Sequence, residues 1–152
     1  MSRTESFAIV LAGGIALAGG VVALGCGGFA VEASAAKAPG GDQVAVGAKI
    51  YGRKCACCHG GSGEGSAKTP PVVGKAALPL APPPAAKKRT MPFHTAADVL
   101  AFVKANMPGN APGSLTDDEY DAVLAFDLKA NGVDLTGKTV DMGSAAAIVL
   151  HP

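Results

Sequence analysis

The sequence predicts an all-α fold: three or more helices and long loops wrapped around a bound group. Three observations lead there. Three segments repeat apolar residues at helical spacing behind good capping residues. The stretch between the first two is too rich in Pro and Gly for regular structure. Large side chains are also scarce. Hydrophobic residues are 49% of the 152, yet Trp is absent and aromatics are 5%, so much of the apolar fraction is Ala, which buries little area. Such a chain is short of core volume, and a large apolar ligand would supply it.

Taken in order, residues 1–36 have the form of an export signal. Arg3 gives a positive start, Phe7 to Leu24 carries no charge, and Ala33-Ser34-Ala35 fits a small-x-small cleavage site. A retained membrane anchor and lipidation at Cys26 are the competing readings of the same segment. Lys37 to Gly41 reads as a linker. A helix is expected from Asp42, a candidate N-cap, with Val46, Gly47, Ile50 and Tyr51 on one face, running into Cys55. Residues 60–92 read as a long loop, since Pro70-Pro71 and Pro82-Pro83-Pro84 forbid helix or central strand. A loop of that length in a small domain needs something to wrap around. The second helix is expected over 96–106, capped by Thr95 and broken by Met107-Pro108-Gly109. The third begins behind the capping box Thr116-Asp117-Asp118-Glu119 and ends at Asn131-Gly132, with Tyr120, Val123, Leu124 and Leu128 inward. The domain is thus expected to span 42–132, with a tail over 133–152 lying extended on its surface.

A net charge of +1 implies no polyanionic partner, and no window has the Lys/Arg clustering of a nucleic-acid site. Charge is nevertheless uneven. Residues 49–104 hold nine Lys/Arg against two Asp/Glu, whereas residues 105–152 hold two against seven. A basic rim including Lys87, Lys88 and Arg89 could steer docking to an acidic protein partner; the plainer account is solvated lysines and acidic residues favoured at a helix N-terminus.

Chemistry concentrates in Cys55-Ala56-Cys57-Cys58-His59, a C-x-x-C-H run. Two thiols three apart on a helical turn can add to two vinyl groups on one edge of a haem, and the adjacent imidazole then reaches the iron. Two other chemistries compete. A Cys-x-x-Cys redox dithiol sits in a βαβ pattern, which is absent here. Structural zinc needs a second, distant ligand pair, which the four cysteines do not provide. Cys57, between the two attachment cysteines, points elsewhere and is not expected to bind.

With these residues in view, the segment 42–132 resembles a class I cytochrome c of the small exported bacterial type. The resemblance is carried by Gly47 and Tyr51, Cys55-x-x-Cys58-His59, Pro70-x-Val72-x-Gly74, Met107-Pro108, and Pro112-Gly113-Ser114-Leu115-Thr116 followed by Tyr120 and Ala125-Phe126. It implies one covalent haem c held by Cys55 and Cys58, with His59 as proximal ligand. It implies that Pro70 offers its carbonyl to the other nitrogen of His59. It also implies a crossing of Gly47 and Tyr51 with the last helix near Tyr120 and Leu124. For the sixth iron position the resemblance favours Met107; Met91, His94 and, less so, His151 stay open as alternatives, whereas Met142 lies beyond the last helix, where the family places no ligand. His/Met ligation would fill both axial sites, so the expected function is electron transfer rather than catalysis, in the periplasm or another exported location. A haem subunit of a larger oxidoreductase, and a haem enzyme or sensor with an open sixth site, are the alternatives.

Overall fold

The computed structural model describes residues 40–84 and 86–151. The expected export signal lies outside the described residues. Five helices occur among them: α1 (Gly40–Lys54), α2 (Ala56–His59), α3 (Ala96–Asn106), α4 (Asp117–Ala130) and α5 (Met142–Ala145). The described residues form no strand beyond one isolated antiparallel bridge, Thr95 with Val149.

The caps explain the helix limits. The Thr95 backbone N–H donates to the Asp98 carboxylate at 2.8 Å, which seats α3. At α4, the Glu119 carboxylate accepts from Thr116 N at 2.8 Å and the Thr116 hydroxyl accepts from Glu119 N at 3.3 Å. These reciprocal bonds satisfy two of the donors that a helix start leaves orphaned. Gly132, at φ 87°, lets the chain leave α4 through a conformation that costs other residues a Cβ clash. α1 starts at Gly40 rather than Asp42, leaving Asp42 in the first turn and Arg53 and Lys54 in the last, both favourable to the helix dipole.

α4 is packed on two sides. One side meets α1 so closely that a Cβ at Gly47 would collide with the Ala122 carbonyl oxygen, and the Tyr51 ring lies 5.0 Å from that of Phe126. The crossing therefore uses Ala122 and Phe126, not the expected Tyr120 and Leu124. Residues two apart on a helix point to nearly opposite faces. Tyr120, Leu124 and Leu128 accordingly join Val99 and Leu100 of α3 in the main apolar cluster.

The tail differs from expectation. Leu135, Val140 and Ala145 are buried in that same cluster instead of lying extended on the surface. Gln43 of α1 clamps Val140, its amide donating to the carbonyl at 2.7 Å and accepting from the N–H at 2.8 Å. Ala96 N donates to the Ile148 carbonyl and Leu150 N to that of His94, each at 2.9 Å.

Candidate haem site

The chain leaves α1 at Cys55 and turns at once into α2. The amides of Cys58 and His59 both donate to the Cys55 carbonyl, at 3.1 and 3.0 Å, so the two thiols and the imidazole share one compact turn. Cys55 is half-buried against Ile50, Ala122 and Val123; Cys58 is exposed, and neither is in a disulfide.

His59 Nδ1 lies 2.9 Å from the Pro70 carbonyl oxygen. A carbonyl can only accept, so Nδ1 carries the proton and Nε2 is left as the lone-pair nitrogen. The loop that brings Pro70 there is pinned at several points. Gly65 N donates to the His59 carbonyl at 2.7 Å, and the Tyr51 hydroxyl donates to the Gly60 carbonyl at 2.9 Å. Farther along, the Asn131 side chain donates to the Val72 carbonyl at 2.8 Å and accepts from Gly74 N at 3.0 Å.

The thiols do not fit a redox dithiol. Burial first, then the neighbouring charges of Asp127 and Cys58, push the Cys55 thiol up to about 12. A dithiol catalyst needs the opposite, a thiol that ionises near neutral pH. Nor does any group of three or more His, Cys, Asp or Glu that could hold a metal ion occur among the described residues. Two thiols beside an imidazole with Nε2 open are instead the groups a covalent haem asks of a protein, and these residues fit that group.

The candidates for a second axial donor differ in setting. Met107 is the C-cap of α3, half-buried, its carbonyl accepting from the Tyr120 hydroxyl at 2.7 Å. Met91 and Met142 are 46% and 44% exposed. His94 is exposed, and the His151 ring lies 2.9 Å from the Leu78 carbonyl oxygen.

Two residues take roles the sequence reading did not assign. Arg89, expected in a basic rim, is buried. It donates to the carbonyls of Pro79, Leu80 and Met91, and its guanidinium lies 3.5 Å from the Phe93 ring centroid. Asp127 is buried in α4 with its Oδ1 lacking any hydrogen-bond partner. Its place one turn after Val123, on the inner face, was the available signal.

The model of the family described as cytochrome c oxidase, cbb3-type, subunit III matches residues 42–126, more than half of the chain. The chain belongs to this family. It is a cytochrome c domain, of a kind that carries haem covalently and uses it to transfer electrons. No curated protein matches the chain. Among solved structures it is similar to a chain of the sulfane dehydrogenase SoxCD from Paracoccus pantotrophus. The TM-score is 0.54 at 24% identity, over 84% of this chain and 68% of that one, a likeness of fold. No helix of this cytochrome c domain, among the described residues, is long and apolar enough to cross a membrane.

Proposed function

We propose that this chain is an exported monohaem electron carrier, with haem c attached at Cys55 and Cys58 and its iron ligated by His59 and Met107. The observation that carries this is the His59 Nδ1 to Pro70 carbonyl contact, 2.9 Å, inside the C-x-x-C-H turn. A bonded Nδ1 fixes both the tautomer and the ring plane, which leaves a ligating nitrogen already aimed; neither a dithiol catalyst nor a packed core histidine needs that. When bound, the haem supplies a one-electron change at its iron. The protein's own contributions are separate. Cys55 and Cys58 hold one edge of the ring, and Pro70 orients His59. The Tyr120 hydroxyl fixes the Met107 backbone, so the thioether is held without a large reorganisation between redox states. With two protein donors on the iron, no position remains for a substrate, and no enzymatic activity is proposed. Docking to redox partners through the basic half of the chain, export to the periplasm, and an uncleaved or lipidated N-terminus as the route to a membrane belong to the same proposal.

The test is a pair of substitutions. Met107→Ala is expected to lower the reduction potential and let the ferrous protein bind carbon monoxide; Met91→Ala is expected to do neither. The reverse pattern would transfer the ligand role to Met91.

A second reading, a haem subunit inside a larger oxidoreductase, is favoured by the family itself, described by an oxidase subunit. Size-exclusion chromatography of the natively expressed protein separates the two: a carrier elutes at monomer size, a subunit with its complex.

A further inference from the structure

We propose that Asp127 is a redox-linked proton site: its carboxyl releases a proton to solvent when the haem attached at Cys55 is oxidised and takes one up on reduction. This rests on the haem reading above and adds to it a residue outside the ligand set.

Asp127 lies on α4 next to Phe126, which packs on Tyr51, and one turn beyond Val123, whose cluster packs on Cys55. Tyr51 lies in the last turn of α1 and Cys55 just past its end, so Asp127 sits in the α1–α4 seam within electrostatic reach of Cys55. Its charge acts on both: it is among the causes that raise the Tyr51 hydroxyl and the Cys55 thiol. The carboxyl is 7% exposed and its Oδ1 has no donor. The Asn131 amide, the nearest candidate on its own helix, donates instead to the Asp127 backbone carbonyl at 2.8 Å. A buried carboxylate without a donor or a cation is costly, so the proton stays on unless a positive charge arrives. Burial alone accordingly raises its pKa to about 7.

The groups facing it do not supply that charge. Tyr51 of α1 is itself pushed up to about 12, and Cys55, just past the end of α1, has no proton to lose once it is a thioether. From the loop comes Glu64, an exposed carboxylate held low by backbone hydrogen bonds, a like charge that acts on Tyr51. Cys58 of α2, which acts on Cys55, becomes the second thioether, and Asn131, the C-cap of α4, is neutral. What changes charge at this seam is the haem. Its core is neutral with ferrous iron and carries one positive charge with ferric iron, in a medium where that charge is poorly screened. Oxidation therefore favours the carboxylate. The step balances as one electron to the partner protein, a one-electron oxidant, and one proton from the Asp127 carboxyl to solvent. Reduction reverses both.

The experiment is an equilibrium redox titration of the haem-loaded protein from about pH 5 to about pH 9, with wild type, Asp127→Asn and Asp127→Leu. Visible spectra check that covalent low-spin haem is intact in each. The wild-type potential is expected to fall as pH rises through the neutral region. Both variants are expected to be flat there, and at the alkaline end to hold a higher potential than wild type, because they lack the carboxylate that stabilises ferric iron. A flat wild-type titration, or variants that keep the wild-type slope, overturns the proposal while leaving the haem reading standing. A chain with no covalent haem overturns both.

Discussion

Asp127 and Arg89 are buried by similar amounts, yet they behave oppositely. Arg89 has carbonyl partners for its guanidinium and an aromatic ring beneath it, so its charge is accommodated; burial lowers its pKa without removing the charge. Asp127 has none of these, and its raised pKa has a consequence for stability. The folded chain holds the Asp127 proton to about pH 7, whereas an unfolded Asp releases it near 3.8. The folded form thus binds more protons between those values, and its stability declines as pH rises from about 3.8 to about 7. In the ferrous protein, where no iron charge compensates, Asp127→Asn is expected to flatten that decline and to stabilise the fold at pH 8 by up to roughly 4 kcal/mol, scaling from three pKa units. Denaturant titration of both proteins at acid and alkaline pH checks this; a variant less stable than wild type at pH 8 would contradict it. Arg89→Ala removes the Arg89 donor from three carbonyls, of which Leu80 keeps the Phe93 N–H, and is expected to cost about 1–3 kcal/mol, read from the same titration.

At the scale of elements, the α1–α4 seam and the docked tail are what hold the site. Gly47→Ala places a Cβ against the Ala122 carbonyl, a backbone atom that cannot swing aside. It is expected to destabilise the domain by about 1–3 kcal/mol or more while leaving His59 and Met107 in place. A lower melting temperature with an unchanged haem spectrum is the expected pair of results. Gln43→Ala strips both partners from Val140 and is expected to cost about 1–3 kcal/mol, which reports whether the tail is part of the cooperative fold. The helices over 96–106 and from Thr116 were legible because caps and period are local signals. The crossing was legible only as a small residue at 47; its partners slipped by two positions because nothing in the sequence distinguished the two apolar faces of α4. The tail was not legible at all. Its three buried residues follow no period, and its anchor, Gln43, lies 97 residues away. Of the candidate site, Cys55, Cys58 and His59 stood out from their spacing alone. Asp127 could be read only as an acid on the inner face of α4, since its meaning depends on what α1 places opposite it.

For the whole molecule, the shortage of large side chains and the length of the 60–92 loop have one explanation: this domain is built to close around a cofactor rather than around itself. The loop folds back on His59 and on Asn131, and the Cys55–His59 turn sits where α1 meets it. On the proposed function, the uneven charge along the chain would suit a partner with an acidic docking face. Lys87→Glu/Lys88→Glu is expected to slow electron exchange with such a partner at low salt, with the difference shrinking as ionic strength rises. Under all of this lies the proposal of a covalent haem on Cys55 and Cys58. The intact mass of the purified, fully denatured protein, expressed with cytochrome c maturation, tests it most directly. The expected mass is the polypeptide plus one haem, lost when both cysteines are changed to Ala. A bare polypeptide mass for the wild type, with haem absent or released on denaturation, would contradict it.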